Sequence, residues 1–496
     1  MKITIICAAY STTNMGMRIL SNLLKSKGHE VNLVFFNVTT EKIDTKLLKQ
    51  LLELCRDSDI IGMSVMTMQY TKSVHITDFL RKNLKDKLFV WGGIHPTLCP
   101  NECVAHADII CVGDGEDFFL ELLDNLQKKK DYKHIEGSWA KDGKNIIKNS
   151  IRQIHDNIDD FPPPDFDYRN KWVIVNNALV PMTLDMQKEF FKTNFLVLKG
   201  GAESYCYVTQ ATRGCPHRCT YCSNAMFLDI FKGKGKILRR KSVSAIMKEL
   251  RQVRKQYPFI NAVNFYDDTF FATTDEEIIK FSKAYKKNIN LPFFCLASPS
   301  TLNEVKLRAL LKAGMGHIQL GVQSGSERLN REVYKRFVSN KVTLEKMRML
   351  NKYKNKIVPS YDFIVDNPYE TVDDQIEVIK FMYQMPRPYK IQLFSLVFYP
   401  HTELYERAMA DGILKKSMTG YKKSLSKLAN RGTMNFYSFA ILYSPLIPRP
   451  VYKLFTYKPV FKLLNSKFFD NFFEYGTRFT IYINNKIHLN RNIINR

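Results

Sequence analysis

No stretch of these 496 residues holds the roughly 18 unbroken apolar residues that a bilayer-spanning helix needs. The opening Met-Lys-Ile-Thr-Ile-Ile-Cys reads as a short apolar strand and lacks the pattern of a cleavable leader. Ten cysteines show no regular pairing, which argues against a disulfide framework and for a reducing cytoplasm. Acid is scarce: 48 Asp and Glu stand against 74 Lys and Arg, a formal charge of +26. Nucleic acid and anionic membrane are the usual partners of such a surplus, and genome bias toward Lys and Asn gives the same number. The excess is uneven, with fifteen Lys and Arg but only Asp470 and Glu474 between Ile413 and Arg496.

What is present fits two or three domains, since 496 residues exceed one ordinary core and 45% of them are apolar. The chemistry concentrates at Arg-Gly-Cys-Pro-His-Arg-Cys-Thr-Tyr-Cys-Ser-Asn, residues 213–224. Cys215, Cys219 and Cys222 have the spacing Cys-x3-Cys-x2-Cys. Three thiolates on one loop suit three irons of a [4Fe–4S] cube, and no fourth cysteine lies near to close it. A zinc site would need a fourth Cys or His in a matching knuckle, and His217 between the ligands is badly placed for that.

This loop resembles the signature of the radical S-adenosylmethionine (SAM) superfamily. The resemblance implies that an open iron binds SAM and that a 5′-deoxyadenosyl radical follows. The protein's own task is then to position the parts.

Before the loop, residues 1–135 alternate strands and helices, which predicts a doubly wound parallel sheet with its ligand beyond the strand ends. Those ends read Ser11-Thr12-Thr13-Asn14, Met66-Thr67-Met68, Gly92-Gly93-Ile94-His95-Pro96 and Gly113-Asp114-Gly115-Glu116. Plain turn chemistry also uses such residues. Together with the cysteine loop, the phrases Gly-Gly-Ile-His-Pro and Val-Gly-Asp-Gly-Glu are similar to the cobalamin-binding domain of the B12-dependent radical SAM family. That resemblance implies cobalamin contacts at Thr67, Gly92, Gly93, His95, Gly113 and Gly115. Asp-x-His-x-x-Gly is absent, so no histidine beneath the cobalt is expected, and His95 is expected as a loop residue beside the corrin.

Residues 136–200 read as a linker, with Asp159-Asp160-Phe161-Pro162-Pro163-Pro164-Asp165 as a stiff tether. Residues 201–410 give six strand–helix units, a partial (β/α)6 barrel whose functional groups belong at the carboxyl ends of its strands. The family resemblance implies SAM contacts from Asp267 and Asp268 after the second strand, and from Ser324 and Glu327 after the fourth. Gln323, Tyr369 and Ser298 stand where relatives often carry Glu, Gly and Arg. Residues 411–496 form a basic, aromatic, mostly helical cap, ranked as substrate lid, then membrane surface, then RNA contact.

The fold class expected is therefore α/β, a Rossmann-like cobalamin-binding sheet followed by a partial radical SAM barrel. The expected activity is methyl transfer to an unactivated carbon of a small-molecule or lipid-like substrate. An electron donor such as flavodoxin or ferredoxin is implied, and nucleic acid is not. The rivals are radical rearrangement or ring closure, a non-catalytic corrinoid or redox sensor, and a tRNA methylthiotransferase-like enzyme. The last would need a second cluster, for which Cys7, Cys55 and Cys99 are the candidates, although their contexts read as core thiols.

Overall fold

In a computed structural model of the chain, residues 1–9, 13–38, 43–193, 203–414, 435–469 and 472–473 are described. Ser11, Thr12, residues 194–200 of the linker, and much of the basic tail with Asp470 and Glu474 lie outside them. The chain divides into two compact units. One holds residues 1–217, 223–270 and 280–293, and the other holds 218–222, 271–279 and 294–496.

The first unit is built on β1 (Lys2–Cys7), β2 (Glu30–Phe35), β3 (Ile60–Ser64), β4 (Leu88–Gly92) and β5 (Ile109–Cys111). They run parallel in the order β5-β4-β3-β1-β2. Helices α1 (Met15–Ser26), α2 (Thr45–Cys55), α3 (Tyr70–Asn83), α4 (Ile94–Leu98), α5 (Pro100–Cys103) and α6 (Gly115–Gln127) connect them. The order reverses between β1 and β3, the switch point where a doubly wound sheet opens a crevice. Period-two alternation splits β1 between two cores. Ile3, Ile5 and Cys7 join α1 and α6, while Ile6 joins α2 and α3. Both faces are covered, which is why these strands read as continuous apolar runs.

The expected linker is a correction. Residues 136–181 extend the sheet instead of tethering it. β6 (Ser138–Asp142) and β7 (Asn145–Lys148) add antiparallel beyond β5. β8 (Lys171–Val175) joins β2 in parallel, and β9 (Ala178–Pro181) completes nine strands. The proline phrase between them is anchored by its last residue. Asp165 is buried, takes hydrogen bonds from Ser21 Oγ at 2.8 Å and Lys25 Nζ at 2.9 Å, and pairs with Lys171 Nζ at 2.9 Å. Burial raises the cost of its charge, yet Lys171 and Lys25 hold the carboxyl below its usual pKa.

A second, seven-stranded sheet comes next in the chain. Its strands are β10 (Lys192–Thr193), β11 (Ser204–Thr209), β14 (Ala262–Phe265), β15 (Phe293–Ala297), β16 (Met315–Gln323), β17 (Ser360–Val365) and β18 (Lys390–Ser395). A separate ribbon pairs β12 (Thr212–Arg213) with β13 (Arg239–Arg240). Helices α7 (Leu184–Phe191), α8 (Ser223–Ile230), α9 (Val243–Gln256), α10 (Asp275–Asn288), α11 (Glu304–Ala313), α12 (Asn340–Asn351), α13 (Val372–Gln384) and α14 (Glu403–Ala410) alternate with the strands. The expected partial barrel is thus present, with β10 as an antiparallel addition.

After residue 434 come α15 (Phe436–Tyr443), α16 (Arg449–Leu454) and α17 (Lys458–Leu464). Within the second unit they pack on α13, and α15 lies along β18, the last strand of its sheet. Arg387 donates to Ile447 O at 2.6 Å, and Tyr389 OH to Ser444 Oγ at 3.0 Å. These helices therefore cover a sheet edge that would otherwise present unpaired backbone. That is a different post from the lid expected of them. Among the described residues no helix is long and apolar enough to cross a membrane.

Candidate functional site

The strand ends of the first unit form two tied glycine loops. Gly93 sits at φ +105°, and a Cβ there would come within 2.9 Å of Val65 O, so only glycine lets the two strand ends approach. Gly113, at φ +115°, leaves room for the ring of Phe231, which a Cβ would meet at 2.9 Å. Thr97 joins the loops: its hydroxyl donates to Gly93 O at 2.8 Å and accepts from Gly113 N at 3.0 Å. Sequence reasoning missed Thr97, because nothing local marks a side chain that bridges two loops. Gly92 ends β4, and Gly115 is the first residue of α6. Thr67 is buried in a short turn and lies 3.3 Å from His95 Nδ1.

His95 departs from expectation. It is a residue of α4, and its side chain is 0% exposed, enclosed by Thr67, the Tyr70 ring at 4.5 Å and Glu102 at 3.8 Å. Helix formation turns its side chain into the domain. The close-approach glycines fit a large flat group.

Gly113-Asp114-Gly115-Glu116 also does something that its sequence does not announce. Glu116 takes Arg213 Nη2 at 2.5 Å, and Asp114 takes Arg239 Nη1 at 2.6 Å. Burial opposes both charges, yet Arg213 and Arg239 hold Asp114 below its usual pKa, and Glu116 and Asp114 hold Arg213 above its own. Arg213 is the residue two before Cys215. The intervening Gly214 (φ +84°) passes so close to the Ile237 carbonyl that no side chain fits there.

Cys215 and Cys219 are buried and Cys222 is half-buried. Within the second unit Cys222 N donates to Cys219 O at 3.0 Å, and Thr220 Oγ1 donates to Val333 O at 2.5 Å. Arg336 Nη1 donates to Cys219 Sγ at 3.4 Å while Nη2 holds Gly321 O at 2.7 Å. The Tyr221 hydroxyl also bonds Cys219. The guanidinium thus sets a positive charge and a hydrogen-bond donor beside this sulfur. Among the described residues no three His, Cys, Asp or Glu side chains are gathered tightly enough to hold a metal by themselves. The donor chemistry fits a cluster nonetheless: three thiols on one loop and a cation at one sulfur.

The second cluster set that the methylthiotransferase rival needs does not assemble, in line with the reading of its cysteines as core thiols. Cys7 and Cys55 belong to the separate cores on the two faces of the sheet. Burial pushes the Cys55 and Cys99 thiols up to about 12, as for inert core sulfurs.

At the end of β14, Asp267 is buried. Its Oδ1 accepts from the Thr212 amide and from Thr212 Oγ1 at 2.5 Å, and its Oδ2 has no hydrogen-bond partner. Asn264 Oδ1 and Thr269 Oγ1 are likewise buried and unpartnered. Burial pushes Asp267 up to about 6. Three orphaned oxygens on one strand end are acceptors in search of N–H or O–H donors, which suits the ammonium and ribose of SAM. Asp268 is exposed and takes a hydrogen bond from Asn224. Ser324 and Glu327 have local duties: Ser324 Oγ accepts from Ser326 N at 3.1 Å, and Glu327 Oε1 accepts from Asn340 N at 2.8 Å, opening α12. Lys335 pairs with Glu403.

The second unit holds a carboxyl that the sequence did not flag. On β17, Phe363 faces the helix layer through Phe381, so Asp362 faces the other way. Gln319 Nε2 donates to both Asp362 oxygens at 2.9 Å, and Gln392 Nε2 donates to Gln319 Oε1 at 3.3 Å. Burial pushes Asp362 up to about 7, against the pull of Gln319 and Arg336. Gln392 is the direct partner of Asp362, and two residues on, Phe394 stands 44% exposed on the same face. This face therefore pairs one titratable acid with an accessible aromatic ring.

The chain matches the B12 binding domain model over residues 1–123 and the Radical SAM superfamily model over residues 209–382. It is 25% identical over 408 residues to an uncharacterized methyltransferase of Pyrococcus horikoshii, covering 81% of this chain and 79% of the relative. It is 23% identical over 370 residues to the bacteriochlorophyllide d C-8(2)-methyltransferase of Chlorobaculum tepidum, covering 72% and 70%. Its fold is similar to that of the radical SAM methyltransferase TsrM of Kitasatospora setae, with TM-score 0.61, 15% identity and 83% and 76% coverage. The cobalamin-dependent radical SAM enzyme OxsB gives a TM-score of 0.59 at 18% identity, over 84% of this chain and 56% of that one. With both domains matched in order, and the cysteine loop falling inside the second, this chain belongs to the B12-binding-domain-containing radical SAM proteins.

Proposed function

We propose that this chain is a cobalamin-dependent radical SAM C-methyltransferase, acting on an unactivated carbon of a small molecule. The family's cofactors are a [4Fe–4S] cluster, SAM and cobalamin. When bound, they supply a deoxyadenosyl radical and a transferable methyl group. The observation that carries the reading is the pairing of a close-approach glycine cradle with a three-thiol loop in one chain. Cys215, Cys219 and Cys222 would hold the cluster, leaving one iron open. Arg336 keeps one of these sulfurs next to a positive charge. Asp267, through its orphaned oxygen, would take the ammonium of SAM, with Asn264 and Thr269 beside it. Thr67, Gly92, Gly93, Gly113 and Gly115 would line the corrin, and Thr97 holds their loops in register. Asp268, Ser324 and Glu327 remain secondary SAM candidates, since the latter two are occupied locally. Asp362 would meet a hydrogen-bond donor of the substrate, with Phe394 against its apolar body.

The reading calls for an external one-electron donor of the flavodoxin or ferredoxin type to reduce the cluster.

The test is anaerobic reconstitution. The expected protein carries ~4 Fe per chain, reading four irons per cube, binds a corrinoid, and forms 5′-deoxyadenosine from SAM with reductant. A protein that binds no corrinoid sinks methyl transfer, ~8 Fe revives the methylthiotransferase rival, and absence of deoxyadenosine favours a sensor.

A further inference from the structure

The C-terminal helices bury one side and leave an unusual outer side. Tyr452 and Phe461 are fully buried, as are Phe436 and Ile441, and these fix the helices onto α13 and β18. Facing outward are Leu446 at 75% exposure, Leu463 at 64% and Phe468 at 86%, joined by Val451, Leu454 and Tyr457. A folded chain rarely leaves so many large apolar side chains in water in one short stretch. Their neighbours along the chain, up to Phe469, are all basic where they are charged. Arg449, Lys453, Lys458, Lys462 and Lys467 are exposed among them, and the sequence has no acid from Gly412 to Phe469. Lys458 is committed to Asp373, while Lys453, Lys462 and Lys467 form no ion pair among the described residues.

We infer that this outer side, from Leu446 to Phe468, docks on the surface of an anionic lipid bilayer. Burying the exposed Leu and Phe side chains in the headgroup–acyl boundary supplies the apolar term, and the lysines meet negative headgroups. Charge complementarity selects lipid over a second copy of this chain, because two such surfaces would repel each other. Apolar insertion selects lipid over nucleic acid, which would favour basic side chains without protruding Leu and Phe. The helices are held by α13 and β18 of this unit, so docking needs no rearrangement of the fold. Binding to lipid is read without turnover, so this inference and the proposed reaction fail separately.

The experiment is flotation of the full-length protein with vesicles of phosphatidylcholine and phosphatidylglycerol, beside vesicles of phosphatidylcholine alone. The protein is expected to float with the anionic vesicles and to be released as salt rises. Replacing Lys453, Lys462 and Lys467 together by Gln should weaken binding about a hundredfold, from the usual contribution of a basic residue at such a surface. Leu463→Ser with Phe468→Ser, which leaves every charge in place, should also lower it. All five side chains are exposed, and a thermal melt checks that the variants stay folded. No flotation of the wild-type protein overturns the inference. So does equal binding to both vesicle types, or preference for single-stranded RNA over anionic vesicles at the same salt.

Discussion

Arg336 lies 3.4 Å from the sulfur of Cys219 and reaches back to the Gly321 carbonyl on β16. One side chain thus ties a cysteine of the loop to a barrel strand and places a full positive charge on a candidate cluster ligand. A cation near a cluster stabilises its reduced, more negative state. Arg336→Met is therefore expected to reconstitute iron and yet show a lower reduction potential. An anaerobic titration followed by electron paramagnetic resonance reads this, and an unchanged potential rules it out.

The Arg213–Glu116 pair joins the cysteine loop to the glycine loop of α6. Both side chains are largely out of water, so removing one partner strands a buried charge. Arg213→Met is expected to cost about 3–5 kcal/mol in chemical denaturation. Arg213→Met with Glu116→Gln should cost less than the sum of the single changes. Strict additivity would mean that the pair has no energetic coupling.

Asp267 divides its oxygens, one locking Thr212 and one without a partner. Asp267→Asn keeps the shape but offers a weaker acceptor for an ammonium. SAM affinity, measured by calorimetry on the reconstituted protein, should fall about tenfold, or about 1.4 kcal/mol. Asp268→Asn, at an exposed carboxyl, should change it less. The reverse ranking would move the ammonium site to Asp268.

Two carboxyls of the second unit make stability depend on pH in an unusual direction. Burial pushes Glu370 from 4.5 up to about 7, although Tyr437 donates to it at 2.6 Å, and pushes Asp362 from 3.8 up to about 7. The folded state then holds protons that the unfolded chain releases. This contribution is full below the unfolded values near 4 and is lost as pH rises through about 7, with a slope of at most about 1.4 kcal/mol per pH unit for each group. Urea unfolding across that window should show stability falling. Glu370→Gln and Asp362→Asn should each flatten the fall. A flat wild-type profile would mean that neither carboxyl is held protonated.

The cysteine spacing, the two alternations of strand and helix, and the glycines at strand ends were legible in the chain. Each is a local pattern, with a period of two or a few residues, imposed by backbone geometry and by burial of both sheet faces. The segment 136–181 was misread because proline and charge mark where a helix or strand breaks but carry no information on how the chain resumes. Asp165 turned that break into an anchor by finding Lys25 and Lys171. His95 read as a loop residue because Gly-Gly precedes it, and α4 turned it inward.

The sequence by itself determined the family, the three-thiol loop and the order of the two sheets. Only the tertiary structure decided which charges serve them. Arg336 stands 117 residues from Cys219, and Arg213 stands 97 from Glu116. Such pairings leave no period to read, because partners far apart in the chain are chosen by the packing of the elements that carry them, while local pattern chooses only the elements.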